Sequence, residues 1–334
     1  MTSTTTVPAA ATPRQGLGAF ARRWSSQIGI TVAFLLLWLV FIISAPSTFL
    51  SDRIYLSFAQ TTPYFAIVAM PLTMVIISGD IDLSFPSIMA LGMVGFVWVW
   101  QATGSVALAI VATLVVGVLA GLFNGLVVTL VGIPSLVVTI GTQFLFRGLT
   151  LVLVAGKSTA LVATMNSPAY DLMVGKVLGI PMEFFWLVLF TIAAWVLLNR
   201  HRLGQNAYVV GDNRLAAKLM GVPISRTRIL LFVLTGFAAA FAGLLNSLQV
   251  VNFYPSMGSG YLLPTLAAVF VGGTSVFGGR GSIWGTFIGA FMIGGITAGI
   301  VAVGLPDYYT NLIYGAVILI SVSIHAVLQR RFER

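Results

Sequence analysis

Long apolar runs alternate with short polar segments along almost the whole chain. Ten apolar runs can be distinguished, and they cover residues 28–46, 63–78, 86–101, 105–131, 133–155, 183–199, 229–250, 264–278, 283–304 and 308–327. A helix needs about 20 apolar residues to cross the hydrocarbon core of a bilayer, so the longer runs predict transmembrane α-helices. Several others are short or interrupted by glycine, which is typical of the broken helices of transporters. The pattern predicts an all-α membrane protein with about ten transmembrane helices.

The polar segments at the two ends of the chain predict tails rather than domains. Residues 1–27 are rich in Thr, Ala, Pro and Ser, and we interpret them as a disordered cytosolic tail. Residues 28–45 carry no charge and lack a small-residue cleavage pattern, which favours a membrane anchor over a cleaved signal peptide. We therefore expect one transmembrane domain over residues 28–327 and a cytosolic C-terminal tail over residues 328–334.

The amino-acid composition is typical of an integral membrane protein. Of the 334 residues, 58% are hydrophobic and 7% are charged, whereas soluble domains carry about 25% charged residues. The absence of cysteine excludes disulfides, thiolate metal sites and cysteine nucleophiles, and two histidines leave little scope for metal binding. We therefore predict no metal site.

Positive charge is distributed unevenly between the predicted loops. With both termini in the cytosol, thirteen Lys and Arg residues fall on the cytosolic side and three on the external side. Because cytoplasmic loops carry an excess of these residues, we expect the N- and C-termini on the cytosolic side of a bacterial inner membrane. Anionic lipid headgroups then explain the net charge of +9 without a nucleic-acid partner.

Two parts of the chain show the same order of residues. Gly79 precedes Pro86 as Gly260 precedes Pro264, and an apolar run follows each proline. Each part then contains three glycines spaced four apart, namely Gly117, Gly121 and Gly125, and Gly281, Gly285 and Gly289. The order predicts that spans 2–5 are repeated in spans 7–10, inverted because five crossings separate them. Chance similarity is the alternative, and the glycines themselves indicate close helix packing inside the bundle.

The longest polar loop, residues 200–228, contains a short amphipathic segment. Asp212 or Asn213 can accept hydrogen bonds from the free N–H groups that open a helix, and Gly221 can end it in the left-handed conformation. Four apolar residues between them share one face: Leu215, Ala216, Leu219 and Met220. The segment predicts a helix of about two turns. Its apolar face would lie on lipid headgroups or in a groove of a soluble partner.

The run from Gly211 to Val222 resembles the cytosolic coupling segment of permease subunits in bacterial ABC importers of the ribose, xylose and arabinose type, a family related to branched-chain amino-acid permeases. Further motifs follow in the family's order over residues 60–325. They are IDLS at 81–84, FNG at 123–125, IPSLVVTIGT at 133–142, RG at 147–148 and GGTSVFGGRGSIWGTFIGA at 272–290.

The resemblance implies a type II ABC importer-like bundle of ten helices. Such a permease pairs with a second permease copy, as a homo- or heterodimer, with cytosolic ABC ATPase subunits and with a periplasmic solute-binding protein. ATP and Mg would be bound by the partner ATPase. The residues that the resemblance implies in ATPase coupling are Gly211, Asp212, Asn213, Leu215, Ala216, Ala217, Leu219, Met220 and Gly221.

The chain itself lacks a motif for ATP chemistry. The letters GKS at 156–158 look like part of a phosphate loop, but position 151 is leucine where that loop requires glycine. His201 lies among basic loop residues and His325 lies at the end of the last span, so no catalytic constellation is predicted. We expect a permease with no catalytic residue and no cofactor of its own.

Polar side chains within the apolar runs are the predicted solute contacts, because such groups in membranes often line a transport path. The candidates are Asp82, Asn124, Thr139, Thr142, Gln143 and Asn246. Thr139 and Gln143 share a helix face, and a neutral sugar needs neutral donors and acceptors. Hydrogen bonding between helices is the alternative for each. Arg147 is expected to reach the headgroups from the outer end of its span.

The segment SGDIDLSFPS, residues 78–87, places two carboxylates between apolar runs. Gly79 allows an unwound turn, Asp82 and Ser84 can cap the next helix, and Pro86 suits its first turn. The family typically reads GGIDLSVG here, so Asp80 departs from its pattern, and we expect Asp80 to reach the cytosolic interface. Structural or gating roles are predicted for Gly79, Asp80, Ser84, Pro86 and Pro264.

The sequence thus predicts an ABC importer permease for a small sugar, a polyol or a related neutral solute. Within this class, an importer of a nucleoside, an autoinducer or a branched-chain amino acid is the alternative. An ion-coupled secondary transporter is the alternative from another class. It would place carboxylates in several spans, whereas acids in the predicted membrane region are confined to Asp80 and Asp82.

Overall fold

The computed structural model describes residues 17–302, 304, 306 and 308–332. Its α-helices are α1 Leu17–Ser44, α2 Pro46–Phe49, α3 Asp52–Thr61, α4 Pro63–Ile77, α5 Phe85–Thr103, α6 Val106–Leu126, α7 Ser135–Leu153, α8 Pro168–Val174, α9 Met182–Arg200, α10 Arg202–Asp212, α11 Arg214–Leu219, α12 Ile224–Gln249, α13 Leu262–Val271, α14 Ile283–Ala302 and α15 Tyr308–Phe332. A π-helical turn, Val127–Val131, continues α6.

Four short strands lie in the connections at one end of the bundle. They are β1 Thr159–Ala160, β2 Lys176–Val177, β3 Ile180–Pro181 and β4 Asn252–Phe253. β1 pairs antiparallel with β4, and β2 pairs antiparallel with β3. The first pair ties the connection after α7 to the end of α12.

Most of the described helices suit a membrane. Seven of them are long and apolar enough to cross one, and α3 with α4 forms a pair bent by 51° that would add an eighth span. The shorter apolar helices Ser259–Val271 and Tyr308–Ser323 coincide with two further predicted spans. The prediction of an all-α, multi-pass membrane protein is confirmed, while the number ten and the inverted repeat stay predictions.

Two predicted boundaries differ from the structure. Residues 1–16 of the predicted tail lie outside the described residues, but residues 17–27 are helical rather than disordered, because Leu, Ala and Arg allow α1 to extend beyond its apolar run. The predicted span 264–278 ends at Val271. Gly272 and Gly273 follow, and Gly273 has a φ of +83°, which turns the chain out of the helix.

The core of the bundle is built around α4 and α12. Every residue of α4 is buried, as expected for a helix that is apolar on all sides. α12 packs against α4, α5 and α6. The connection between α4 and α5, which carries both acids of SGDIDLSFPS, is therefore held between well-packed helices.

The glycine series let helices approach closely, as predicted. A Cβ atom on Gly117 or Gly121 would overlap backbone atoms of α12, and one on Gly285 would overlap Gly272 just beyond α13. The expectation that these helices lie inside the bundle holds for the glycine faces of α6 and α14, which are buried. It does not hold for the whole of α6, because Leu119 on its other face is 57% exposed.

Arg147 of α7 differs from its predicted role as a headgroup anchor. Its Nη1 atom donates hydrogen bonds to the carbonyl oxygens of Pro255 and, at 2.9 Å, of Met257. Its Nη2 atom donates to the Pro86 carbonyl at 3.2 Å. The guanidinium is used to join the segment after α12 to the start of α5, because its several N–H donors can satisfy several carbonyls at once.

Candidate functional site

The short helix α11 forms where the sequence predicts it. Asn213, rather than Asp212, provides the cap: its Oδ1 atom accepts hydrogen bonds from the N–H groups of Leu215 and Ala216, both at 3.0 Å. Gly221 has a φ of +74° beyond the other end of the helix. The local prediction is confirmed because both signals act within a few residues.

The apolar face of α11 has no cover within the described part of the chain. Leu215 is 69% exposed, Leu219 is 82% exposed and Met220 is 71% exposed, while Ala217 on the opposite face is fully buried. α11 thus presents an apolar surface on a segment that is otherwise polar. Contiguous exposed apolar residues of this kind mark surfaces that bind a partner or a membrane.

Four glycines, which we call the glycine junction, join the α10–α11 segment to the bundle. They are Gly79, Gly211, Gly278 and Gly279. A Cβ atom on Gly211 would overlap the carbonyl oxygen of Ile77 at the end of α4, and one on Gly278 would lie 3.1 Å from the Cα atom of Gly79. The Gly279 N–H also donates to the Ile77 carbonyl at 2.8 Å. Three separate stretches of backbone therefore meet without intervening side chains.

A buried carboxylate lies beside this junction. Asp80 is 2% exposed, and Arg228 of α12 binds both of its oxygens, with Nε at 2.6 Å from Oδ2 and Nη2 at 2.7 Å from Oδ1. Arg214, the first residue of α11, places Nη2 3.0 Å from Oδ1 and 3.1 Å from the Gly79 carbonyl. We call Asp80, Arg214 and Arg228 the Asp80 clamp. Two guanidinium groups hold Asp80 inside the protein, and its position at the cytosolic interface stays a prediction.

One further hydrogen bond strengthens this contact. The Tyr208 hydroxyl of α10 donates to the Gly281 carbonyl at 2.8 Å, in the glycine-rich connection between α13 and α14. Burial raises the pKa of Tyr208, so the hydroxyl stays protonated and available as a donor. The α10–α11 segment is therefore fastened to the connections α4–α5 and α13–α14 and to the start of α12.

Asp82 lies two residues from Asp80 in a different environment. It is fully buried, and its Oδ1 atom accepts hydrogen bonds from the Ser84 N–H at 2.8 Å and from the Ser84 hydroxyl at 2.6 Å. Its Oδ2 atom is buried without a partner in the described structure. Asp82 lies in the connection between spans, and burial raises its pKa to about 6 even though the Ser84 hydrogen bonds lower it.

The predicted cap by Ser84 is not formed. Ser84 has a helical backbone conformation, with φ −83° and ψ −17°, and its side chain caps no N–H group of α5. Its hydroxyl is instead a donor to Asp82 and an acceptor from Asn124 Nδ2 at 2.7 Å. Pro86 lies in the first turn of α5, as predicted.

The predicted solute contacts are not gathered in one site. Thr139 donates to the Ile81 carbonyl at 3.2 Å, and Thr142 donates to the Thr139 carbonyl at 3.4 Å. The Gln143 backbone carbonyl accepts from Ser87 at 2.7 Å. Together with the bond from Asn124 to Ser84, these contacts fit the alternative of hydrogen bonding between segments of the bundle. Asn246 lies elsewhere and lines a large cavity, together with Pro264.

Two functional-site residues were missed by reasoning from the sequence. Glu183, in the first turn of α9, is fully buried, and its Oε1 atom lies 3.4 Å from the Tyr64 hydroxyl. Acids near the membrane region are therefore not confined to Asp80 and Asp82. From the sequence, Arg228 is predicted only as one of the positive charges of the cytosolic loop. In both cases the available signal was a single charged residue at the edge of an apolar run.

Comparison with known proteins supports a transport role. Residues 54–322 match the model of a family described as branched-chain amino acid transport system, permease component. The chain is 34% identical over 268 residues to the Autoinducer 2 import system permease protein LsrD of Yersinia enterocolitica, covering 78% of this chain and 81% of the relative.

A second kind of relative is similar over a longer stretch. The chain is 30% identical over 306 residues to the Ribose import permease protein RbsC of Escherichia coli K12, covering 91% of this chain and 95% of the relative. No solved structure matches the chain.

Proposed function

The chain belongs to the family of permease components of branched-chain amino acid transport systems, and from this premise we propose that it is the membrane permease subunit of an ATP-driven ABC importer. It would form the translocation path for a small sugar, a polyol or a related neutral solute delivered by a periplasmic binding protein. The similarity to a ribose permease over 91% of the chain supports this solute class.

The observation that carries the proposal is the exposed apolar face of α11 together with the Asp80 clamp behind it. Leu219 and Met220 point away from the bundle, whereas Arg214 on the same helix is bonded to the α4–α5 connection. A groove in a soluble partner would cover the apolar face, which is how an amphipathic helix is commonly recognised. We propose that this partner is an ABC ATPase subunit, which binds the ATP and Mg that the importer needs.

The contacts behind α11 give a route by which the ATPase would act on the permease. A displacement of α11 would pull on Asp80 through Arg214 and on Ile77 through Gly211. Ile77 ends α4, and Asp80 lies in the connection from α4 to α5. At the glycine junction the backbones touch directly, so no side chain between them can change its rotamer and take up the movement. A displacement of α11 would therefore move the adjoining ends of the spans.

The remaining partners and the orientation follow from the same proposal. A second permease copy would complete the path, the binding protein would meet the end of the bundle opposite the glycine junction, and both termini would lie in the cytosol of a bacterial inner membrane. The excess of Lys and Arg on the proposed cytosolic side supports this orientation. Autoinducer 2 is the second candidate solute, favoured by the 34% identity to LsrD.

Reconstitution tests the proposal. The permease, its ATPase and its binding protein in proteoliposomes are expected to take up a five-carbon sugar or polyol only when ATP is supplied. Uptake that needs no ATP and follows a proton or sodium gradient would instead support the ion-coupled alternative.

A pair of leucines tests the docking surface. Leu219→Asp should abolish co-purification of the ATPase, because a carboxylate would replace the apolar face. Leu178→Asp is the matched control, since Leu178 is 97% exposed in the connection between β2 and β3. Normal ATPase binding by Leu219→Asp, or its loss in both variants, would contradict the assignment.

A further inference from the structure

The connection between α8 and α9 forms a hairpin whose tip is apolar. β2 pairs antiparallel with β3, and Val177 faces Ile180, so Leu178 and Gly179 are the two residues of the turn. Leu178 is 97% exposed, and Val177 beside it is 48% exposed. The hairpin therefore carries large apolar side chains outward to a point where no other described residue covers them.

The backbone of the turn is one that leucine rarely adopts. Leu178 has a φ of +52°, and Gly179 has a φ of +82°. Two-residue turns with a positive φ at both positions favour Asn-Gly and Asp-Gly, because most side chains in the left-handed region cost conformational free energy. Leucine thus weakens the turn, and in water it also exposes apolar surface. An apolar environment around the tip would remove the second of these two costs.

The hairpin lies directly beside a membrane span. β3 ends at Pro181 and α9 begins at Met182, and α9 is one of the helices long and apolar enough to cross a membrane. A strand advances about 3.3 Å per residue, so Leu178 lies within about 13 Å of the start of α9. The headgroup layer on each side of a bilayer is about 5 to 8 Å thick. The hairpin therefore starts at this layer, and its tip stays close to it.

A tryptophan supports this level for the start of α9. Trp186, in the second turn of α9, donates a hydrogen bond from Nε1 to the Leu172 carbonyl of α8 at 3.2 Å. Tryptophan is enriched where membrane and water meet, because its ring is apolar and its N–H group is polar. The Leu172 side chain is itself 55% exposed, so α8 adds to the apolar surface near the hairpin.

The surroundings of the tip suit lipid better than a protein partner. β3 packs against α3 and α9, where Leu56 is 40% exposed and Phe185 is 40% exposed, so apolar surface continues from the hairpin onto two helices. Lys176 is exposed beside Val177. A lysine next to apolar side chains is typical of segments on membrane surfaces, because its stem lies along apolar groups while its ammonium reaches phosphate. Protein interfaces, by contrast, are depleted in lysine.

We propose that the β2–β3 hairpin is a membrane anchor. Leu178 and Val177 insert between the headgroups and the acyl chains of the leaflet at this end of the bundle, and the Lys176 ammonium binds lipid phosphate. The anchor holds the start of α9 at a fixed depth in the bilayer. It requires neither a transported solute nor a partner protein.

The chain has no cysteine, so a single introduced cysteine can carry an environment-sensitive fluorophore. The full-length permease in phosphatidylcholine nanodiscs is labelled with a nitrobenzoxadiazole group at Leu178→Cys. Ser256→Cys, exposed in the segment between β4 and α13, is the control. The label at position 178 should be several-fold brighter than the control label. A phosphatidylcholine with a nitroxide near the top of its acyl chain should also quench it several-fold more strongly.

Two outcomes would overturn the anchor. The first is a dim label at position 178 that the nitroxide lipid quenches no more than it quenches the control. The second is a label that becomes bright only when the periplasmic binding protein is added, which would assign the hairpin tip to a protein interface instead of the lipid.

The leucine itself is tested with the label at Val177→Cys, which reports the depth of the hairpin while residue 178 is varied. Leu178→Asn suits the turn, so the hairpin should keep its fold. Quenching by the nitroxide lipid should nevertheless fall several-fold, because the tip loses its apolar side chain. Leu178→Phe should retain the quenching. Equal quenching in the Leu178→Asn, Leu178→Phe and unsubstituted proteins would show that the Leu178 side chain does not anchor the hairpin.

Discussion

The two ends of the bundle are built from different chemistry. At the glycine junction, backbones touch directly and a buried carboxylate is held by two guanidinium groups. At the other end, neutral carboxamides and aromatic rings surround a cavity of about 1080 Å³. The first arrangement leaves little freedom to move independently, which suits the transmission of force. The second leaves space, which suits a solute that must enter and leave.

The comparison extends to the two acids of one short segment. Asp80 is paired with arginines from α11 and α12, whereas among the described residues Asp82 has only Ser84 as a partner, for one of its oxygens. The two guanidinium groups offset the cost of burying the Asp80 charge, whereas burial without such a partner raises the pKa of Asp82. Position in the tertiary structure, rather than residue type, makes the two acids different.

The glycine junction should be the most sensitive part of the molecule. Gly211→Leu would force a side chain into the Ile77 carbonyl, and no rotamer relieves an overlap that begins at Cβ. We expect a loss of more than about 4 kcal/mol of stability, seen as failure to purify as a folded monodisperse permease. Gly148→Ala in α7 is the control, because nothing lies within 4 Å of its added Cβ. If Gly211→Leu folds normally, the backbones of Gly211 and Ile77 can move apart without loss of the fold.

The Asp80 clamp should come next. Asp80→Asn leaves Arg228, whose side chain is 11% exposed, without its ionic partner, and removing one member of a buried pair costs about 3 to 5 kcal/mol. The expected result is a lower thermal midpoint and weaker coupling of ATP hydrolysis to uptake. Arg228→Gln should behave similarly. The double variant Asp80→Asn/Arg228→Gln should be less impaired than the sum of the two single variants, and strict additivity would contradict a direct pair.

The stability contributed by Asp82 should depend on pH. Its folded-state pKa of about 6 exceeds its ordinary value of 3.8, so the folded protein binds an extra proton between these values. Stability from this group is therefore present below pH 4 and is lost as the pH rises to about 6, by at most about 3 kcal/mol. The difference in thermal midpoint between wild type and Asp82→Asn, followed from pH 4 to 8, measures this loss. A constant difference would contradict a raised pKa.

Arg147 provides a smaller test at the opposite end. Arg147→Lys keeps the charge but loses the planar fork that reaches the carbonyls of Pro255, Met257 and Pro86. We expect the free energy of unfolding to fall by about 1 to 2 kcal/mol. The sugar concentration that gives half-maximal uptake should rise. If the stability of Arg147→Lys is unchanged, the result would support the predicted role of Arg147 as a headgroup anchor.

The smallest expected effect belongs to Arg214. Its side chain is 48% exposed, so Arg214→Gln should cost less than about 1 kcal/mol in stability. The substitution should weaken the coupling between ATP hydrolysis and uptake more than it lowers the stability of the permease, because Arg214 links α11 to Asp80. ATPase activity stimulated by the binding protein, measured beside the thermal midpoint, separates the two effects. If ATP hydrolysis and uptake stay normally coupled in Arg214→Gln, the glycine junction alone would transmit the displacement of α11 to the spans.

Local features such as helix caps were predictable from the sequence. Hydrogen bonds and ion pairs between residues far apart in the chain were not. The cap by Asn213 and the left-handed Gly221 depend on atoms only a few residues away. The partners of Asp80 lie 134 and 148 residues away along the chain. No periodicity or spacing connects positions that far apart. Asn246 was predicted as a solute contact, but its unpaired oxygen and its tyrosine partner emerged only from the packing of α12 against the segment before α13.

The amino-acid sequence alone is enough to identify a helical membrane protein, to assign its family and to predict an apolar face on α11. Those properties arise residue by residue, from the transfer of side chains into lipid and from short-range hydrogen bonds. The tertiary structure decided which buried polar groups find partners. It paired Asp80 with two arginines, left one oxygen each on Asp82 and Asn246 without a partner in the part of the chain that the structure describes, and placed Asn246 beside a cavity. The satisfaction of a buried polar group depends on which distant segment packs against it, and that is set only when the helices assemble.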